Sequence, residues 1–322
     1  MLIPVLLFVL GLVLLIKGGD WFVDGAVGLA QRFHIPDFLI GATIVSIGTT
    51  LPEVMVSSRA AFIGNGEIAY GNAIGSVICN TALIAAVTLV LRPQTTETAT
   101  LKLPVLFFFI SAVFYAAVAY TGGYFSRTIG ICLLCIFAVY MFLTLKTAKN
   151  NMKKPAEQSE HKIPENSFAK DILLLAAGAV LIAVGADLLV ENGTKIAAAL
   201  GVPDSVIALT FVALGTSLPE LITAITSIIK KHSSLSLGNI IGANLFNLVL
   251  VSGVAVTVNP FRIPSEKTVF GINASLAVDI PVMFAVMLLL CVPVLLRGKF
   301  YRAQGIVLWV IYAAFCVFQF VM

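Results

Sequence analysis

The chain has 322 residues, of which 59% are hydrophobic and only 11% are charged, and its formal net charge is +4. Soluble domains carry about 45–50% apolar and about 25% charged residues, so this composition excludes a soluble globular protein. We therefore expect a polytopic membrane protein that contacts the lipid bilayer, and the small positive charge gives no reason to expect a nucleic-acid partner.

Ten apolar runs are each long enough to cross a bilayer, which takes about 20 residues in a helix. They cover roughly residues 2–18, 37–63, 69–91, 101–120, 126–146, 169–189, 204–230, 237–258, 270–296 and 302–321. The first run lacks a basic segment before it and a cleavage site after it, so we interpret it as a retained span. The runs predict an all-α polytopic membrane protein of ten transmembrane helices.

The charged loops predict an orientation. With the amino terminus outside, fifteen lysines and arginines fall on the inner side and five on the outer side. Positive residues accumulate on the cytoplasmic side, so we expect both termini outside. The polar segment 147–168, interrupted by Pro155 and Pro164, is then a cytoplasmic linker of flexible character.

A long internal repeat divides the chain. GTTLPE at 48–53 returns as GTSLPE at 215–220, and the shift that takes residue 48 to residue 215, called here the repeat offset, holds without a gap well beyond this hexapeptide. Matching positions include Asp20 and Asp187, Glu53 and Glu220, Asn72 and Asn239, Gly75 and Gly242, and Asn80 and Asn247. Five spans in each copy force the copies into opposite orientations. We predict two inverted five-helix repeats, 1–146 and 169–322, joined by the linker.

Glu53 and Glu220 are the most informative residues, since each stands in an apolar run. A carboxylate near the bilayer centre costs on the order of 3 kcal/mol or more unless it is neutralised. The sequence offers no lysine or arginine at comparable depth, so a structural ion pair is the weaker interpretation. The pattern favours an exchangeable cation or proton.

Other oxygen atoms accompany the glutamates. Pro52 and Pro219 remove a backbone donor and free carbonyl groups in the preceding turn. Nearby hydroxyls belong to Thr49, Thr50, Thr216 and Ser217. Hard oxygen ligands suit calcium and sodium, whereas copper or zinc would favour sulfur and imidazole. The five cysteines all fall in apolar runs, and we expect neither a disulfide nor a thiol-bound metal.

A second motif follows each glutamate, GNAIGSVICN at 71–80 and GNIIGANLFN at 238–247. Small residues in both copies would let another helix approach closely, and packing is the more ordinary role for these glycines. The small residues are Gly71, Gly75 and Ser76 in the first copy, and Gly238, Gly242 and Ala243 in the second. Such packing would bring the amides of Asn80 and Asn247 toward the glutamates.

These two pairs of motifs resemble the α-repeats of the calcium/cation antiporter superfamily, and the chain is most similar to its prokaryotic sodium/calcium exchangers. The resemblance implies exchange of Ca²⁺ for Na⁺ at a shared midplane site in a prokaryotic plasma (inner) membrane, without enzymatic activity or a resident cofactor. It implies calcium ligands Glu53, Glu220, Thr49 and Thr216, with Asn80 and Asn247 between the glutamates. It implies sodium ligands Thr50, Ser76, Ser217 and backbone oxygens near Ser46 and Ala213.

Three positions depart from the family pattern. Val77 replaces an asparagine that Asn244 keeps in the second copy. Ala243 replaces a serine and so removes one hydroxyl from an expected sodium site. Asn247 stands where some relatives carry aspartate, which leaves two carboxylates at the centre.

Several alternatives remain open. A calcium/proton antiporter of the same fold would use the same carboxylates, and the missing hydroxyl at Ala243 leans slightly toward it. A passive cation channel is less compatible with an inverted repeat, and an intramembrane hydrolase lacks a nucleophile motif. Among other acidic residues, we expect Asp279 to cap a kinked half-helix before Pro281, with a role in an ion pathway as the alternative. Asp20 and Asp187 are expected at span ends.

Overall fold

The computed structural model describes residues 2–33, 35–93, 95, 98–152, 167–200, 215–265 and 267–321. Its helices are α1 (Leu2–Arg32), α2 (Asp37–Phe62), α3 (Gly66–Leu91), α4 (Thr98–Thr121), α5 (Arg127–Met152), α6 (Phe168–Ala199), α7 (Leu218–Ile229), α8 (Ser233–Val258), α9 (Ser275–Arg297) and α10 (Arg302–Val321). Four two-residue strands, β1 (Tyr124–Phe125), β2 (Phe261–Arg262), β3 (Thr268–Val269) and β4 (Ile272–Asn273), form the antiparallel pairs β1–β2 and β3–β4.

The predicted all-helical membrane architecture is confirmed. Within the described ranges, nine helices are long and apolar enough to cross a bilayer, and α7 is a shorter apolar helix. Helix α7 is the described part of the seventh predicted span, whose residues 204–214 lie outside the described ranges. Most of the linker predicted at 147–168 also lies outside them.

Helices α1 and α6 extend well beyond the predicted spans of 2–18 and 169–189. Asp20 and Asp187 therefore lie inside long helices and not at helix ends. The reason is tertiary, because Gly18 does not end the helix but packs against α6. A Cβ added to Gly18 would lie 2.8 Å from the Ile182 amide nitrogen.

Contacts between α1 and α6 follow the repeat. A Cβ on Gly11 would lie 2.8 Å from the Gly185 carbonyl oxygen, and one on Gly178 would lie 2.8 Å from that of Gly18. Each contact becomes the other when both of its residues are shifted by the repeat offset, and the pairing shows that α1 and α6 run antiparallel. Equivalent helices that run in opposite directions require the two halves to be inverted.

A second pair of contacts obeys the same symmetry. Arg92 donates from Nη1 to the Ile228 carbonyl oxygen at 3.4 Å, and Asn259 donates from Nδ2 to the Ala61 carbonyl oxygen at 2.9 Å. The repeat offset relates the two donors to each other, and it also relates the two acceptors. The two halves therefore make equivalent contacts with each other at these two places.

Two apolar clusters hold the bundle together. The larger cluster draws buried side chains from every described helix except α1 and α6. The smaller one joins α1 and α6 to Ile40, Val45 and Leu235 of the site-bearing helices. Helices α1 and α6 therefore form a pair that contacts the remaining bundle through its own apolar surface.

Candidate metal centre

Glu53 lies in α2 and Glu220 in the first turn of α7, and both side chains are fully buried. Helix α2 continues through Pro52, whose missing amide leaves the Gly48 carbonyl without its usual donor. In the second copy α7 starts at Leu218, and Pro219 occupies its first turn. Glu220 therefore lies in the first turn of α7, where the positive end of the helix dipole favours a carboxylate.

The two motifs meet at the centre of the bundle. Pro52 and Pro219 line the same small cavity, together with Thr49 and with Phe22 of α1 and Ile182 of α6. Helices α2 and α7 contact each other, which brings the two glutamate-bearing segments together. The predicted convergence of the two copies is therefore present in the fold.

Two asparagines complete this centre. Asn80 begins a π-helical turn, Asn80–Ala85, in α3, and Asn247 begins an equivalent turn, Asn247–Val251, in α8. Single π turns inside helices are often found at functional sites. The turn of Asn80 contacts α7, and the turn of Asn247 contacts α2, so each glutamate helix meets the asparagine turn of the other half.

The two glutamates and the two asparagines of this centre are buried, and their polar side-chain atoms lack hydrogen bonds within the described residues. Both carboxylate oxygens of Glu53 and Glu220, and both amide atoms of Asn80 and Asn247, lack a hydrogen-bond partner among the described residues. None of the ion pairs in the described ranges includes either glutamate. Buried charge without a partner is costly. The six unpaired side-chain oxygens match the six to eight that Ca²⁺ accepts.

Hydroxyl groups flank the centre in both halves. The hydroxyl oxygens of Thr50 and Ser217 are buried and have no partner in the part of the chain that is described. Ser76 is also buried, at the edge of a larger cavity. These three residues are the hydroxyl bearers expected to serve sodium, and they remain available as additional oxygen ligands.

Thr49 and Thr216 link the two halves. The Thr49 hydroxyl donates to Asn239 Oδ1 at 3.1 Å, and the Thr216 hydroxyl donates to Asn72 Oδ1 at 3.2 Å. The repeat offset converts each of these bonds into the other. The threonine oxygens can still accept a cation while their hydrogens are fixed on the opposite half.

Asn72 and Asn239 are the residues that motif reasoning left without a role. Asn72 also donates from Nδ2 to Ser57 Oγ at 2.8 Å and lies 3.3 Å from the Glu53 carbonyl oxygen. The Gly-Asn pair recurs at matching positions in the two copies, and this recurrence is the sequence signal that could have marked both asparagines. Thr223, one turn after Glu220, is a further buried hydroxyl without a described partner, and no sequence signal marked it.

The remaining predicted ligands are backbone oxygens near Ser46 and Ala213. The Ser46 hydroxyl lies 2.8 Å from the Gly41 carbonyl oxygen and 2.9 Å from that of Asn239. It therefore ties α2 to α8 beside the centre. Ala213 lies outside the described residues.

The glycines of the second motif behave differently in the two copies. A Cβ added to Gly238 would collide with the Phe38 carbonyl, and one on Gly242 would collide with the Ser46 hydroxyl, so close packing is confirmed there. No described atom lies within 4 Å of a Cβ added to Gly71 or Gly75. These two glycines instead line a cavity, and the expected close approach is absent among the described residues.

Known proteins are similar to this chain in both sequence and fold. The family model described as sodium/calcium exchanger protein matches residues 3–146 and 170–321. Sodium/calcium exchanger MaX1 of Methanosarcina acetivorans is 31% identical over 98% of each chain, and inner membrane protein YrbG of Escherichia coli is 32% identical over 96% of this chain and 98% of its own. A solved structure of the sodium-calcium exchanger NCX_Mj has a TM-score of 0.80, 33% identity and 98% coverage of both chains. With buried carboxylates from two inverted halves at its centre, the chain belongs to the sodium/calcium exchanger protein family.

Proposed function

We propose that the protein exchanges Ca²⁺ for Na⁺ across the membrane by alternating access to one shared site. The observation that supports this most strongly is the set of four buried side chains, Glu53, Asn80, Glu220 and Asn247, whose polar atoms have no described partner. A divalent ion balances two carboxylates, and the amide oxygens complete a hard-ligand shell.

Sodium would compete at the same centre. Thr50, Ser76 and Ser217 stand one helical turn before Glu53, Asn80 and Glu220, and their hydroxyl oxygens would provide neutral ligands for a monovalent ion. Ala243, fully buried in α8, brings a methyl group where a hydroxyl would add one more ligand. That substitution is the observation that favours protons as the second candidate counter-ion.

Neutralisation of the two carboxylates by bound cations couples the movement of one ion to that of the other. An empty site with two carboxylates would carry about two negative charges through the low-dielectric interior when the protein changes state. Calcium removes this cost, and so do sodium ions or protons. Only the loaded protein then interconverts readily, which makes the exchange obligatory.

Ion pairs between the two halves support a state that is closed at one end. The ion pairs that join the two halves among the described residues lie at the end of the bundle where α1 ends and where α2 and α8 begin. The pairs are Lys230 Nζ with Asp24 at 2.7 Å, His232 Nδ1 with Asp37 at 2.7 Å when the imidazole is protonated, and Arg32 Nη2 with Asp171 at 3.2 Å. Lysine and arginine are concentrated on this side, which we propose faces the cytoplasm.

The opposite end lacks the corresponding cations. The residues that the repeat offset relates to Lys230, His232 and Arg32 are Ile63, Asn65 and Ala199. None of these three side chains carries a positive charge, so the symmetric pairs cannot form. A protein with ion pairs at one end only would rest closed at that end and would have to break them in order to open there.

Transport in vesicles tests the proposal. We expect rapid Ca²⁺ uptake when Na⁺ is loaded inside and absent outside, and much slower uptake when Na⁺ is equal on both sides, because external Na⁺ competes for the site. Uptake driven by a pH gradient without Na⁺ would identify protons as the counter-ion. Calcium flux without any counter-ion would identify a passive channel and contradict exchange.

The ion pairs of Lys230 should bias the conformational equilibrium. Lys230→Met keeps the aliphatic stem and removes the charge that faces Asp24 at 2.7 Å and Asp20 at 3.5 Å. Such partly exposed pairs contribute about 1 kcal/mol or less, so we expect roughly a twofold to fivefold rise in the state open at this end. Hydrogen exchange at the end of α7 should increase accordingly.

Lys195→Met is the matched control for this experiment. Lys195 pairs at 2.6 Å with Glu191 within α6, so its loss leaves the contacts between the halves unchanged. Equal exchange at the end of α7 in both variants would contradict a latch between the halves.

A further inference from the structure

We propose that Asp279 of α9, together with Tyr70 and Ser275, forms a second and weaker Ca²⁺ site in the cavity beside the central carboxylates. The inference rests on the proposed function, because the cation bound there is the one that the central site exchanges. It adds a site whose three residues lie outside the two repeated motifs.

The cavity supplies the geometry. It has a volume of about 520 Å³ and lies between α3, α9 and α10. Asn72, Ser76 and Thr216, which flank the central site, line it together with Asp279 and Gln319. A cation that approached the central site through this space would pass the Asp279 carboxylate.

Asp279 does not have the capping role expected from the sequence. Helix α9 begins with a π turn, Ser275–Asp279, and continues into Ile280 without a break. The backbone of Asp279 is helical, with φ −62° and ψ −52°, and its side chain makes no capping hydrogen bond. The carboxylate is therefore not committed to the helix end, because no terminus exists there for it to cap.

The surroundings of Asp279 orient its carboxylate without placing it in a salt bridge. Its Oδ1 accepts a hydrogen bond from Gln319 Nε2 at 3.0 Å, which fixes the carboxylate but does not neutralise it. Lys267 and Glu67 line the same cavity, and Lys267 Nζ lies 3.3 Å from the Gln319 carbonyl oxygen. None of the ion pairs among described residues involves Asp279.

Tyr70 provides an independent indication of a ligand. Its side chain is only 1% exposed, it lines the cavity, and its hydroxyl has no hydrogen-bond partner in the described ranges. Ser275 begins the π turn and lines the same cavity. A carboxylate and two hydroxyls are hard oxygen ligands, and a single charge predicts weak binding of Ca²⁺.

A weak site here would raise the local cation concentration. The cavity walls have a low dielectric constant, which strengthens the field of a carboxylate on the ion. Removing the charge should therefore reduce capture of Ca²⁺ at low concentration and leave the rate at saturation unchanged. We expect Asp279→Asn to raise the KM for Ca²⁺ uptake about threefold to tenfold at low ionic strength.

Glu67→Gln is the matched control, because Glu67 lines the same cavity but is exposed. It should change the KM less than twofold, and Asp279→Glu should restore most of the wild-type KM. An unchanged KM in Asp279→Asn, or an equal rise in Glu67→Gln, would overturn the proposal. If Asp279→Asn does not fold, Gln319→Leu keeps the charge but removes its orienting donor; a raised KM supports the proposal and an unchanged KM overturns it.

Direct binding separates this site from the central one. In a Glu53→Gln/Glu220→Gln background, electron paramagnetic resonance should detect one weakly bound Mn²⁺, and adding Asp279→Asn should abolish it. No residual Mn²⁺ binding in the double variant would overturn the second site. Wild-type exchange by the double variant would instead contradict the proposed function, so the two failures are distinguishable.

Discussion

Glu53→Gln and Glu220→Gln should each lower Ca²⁺ exchange by at least about 100-fold. Each change removes one of two charges that face a divalent ion in a buried site, and breaking a buried charge pair costs about 3–5 kcal/mol. Initial rates of Ca²⁺ uptake into Na⁺-loaded vesicles measure the loss. Exchange at the wild-type rate in either variant would contradict the central role of the carboxylates.

The thermal stability of the ion-free protein should rise in these two variants, although their exchange activity falls. Without cations, both carboxylates lie buried without a described partner, so a neutral amide should raise the thermal unfolding midpoint of the ion-free protein. Calcium should stabilise the wild type and have little effect on either variant, since only a bound ligand shifts the midpoint. Glu191→Gln, an exposed position in α6, is the control and should behave like the wild type.

Gly238→Ala should strongly destabilise the protein, whereas Gly71→Ala at the equivalent position should not. A Cβ on Gly238 would collide with the carbonyl oxygen of Phe38 and lie 2.9 Å from its carbonyl carbon. Overpacking of this kind costs about 1–3 kcal/mol, and here it would also separate α2 from α8 beside Ser46. Thermal unfolding in detergent and Ca²⁺ uptake should both decline.

Gly71→Ala provides the comparison within the same protein. No described atom lies within 4 Å of its added Cβ, and alanine has a higher helix propensity than glycine by about 1 kcal/mol. The expected result is an unchanged or slightly higher unfolding midpoint. Equal destabilisation of both variants would mean that the two copies of the motif pack alike.

The sequence predicted the helical architecture because apolar length and the repeat offset are both long-range signals that survive local ambiguity. It placed the ends of α1 and α6 wrongly. Gly18, Gly19 and Asp20 are typical of the end of a span, but the contact with α6 that keeps them helical depends on tertiary packing. Local patterns contain no information about that contact.

The central residues of the site could be predicted from the sequence, but their contacts could not. Glu53, Glu220, Asn80 and Asn247 stand out because charge or amide groups recur inside apolar runs at matching positions. The bond from Thr49 to Asn239 was not predicted, because it joins residues of opposite halves. Asp279 lies beyond the segment where the repeat offset holds, because the connection before α9 is longer than the one before α4, and so no symmetry could indicate its environment.

The reciprocal bonds from Thr49 to Asn239 and from Thr216 to Asn72 bear on the ancestry of the fold. Among the described residues each threonine donates to the asparagine of the other copy, so a single five-helix unit could form this bond only by docking with an oppositely inserted twin. A solitary ancestor with these contacts would have been an antiparallel homodimer, and gene fusion would then have made that pairing permanent.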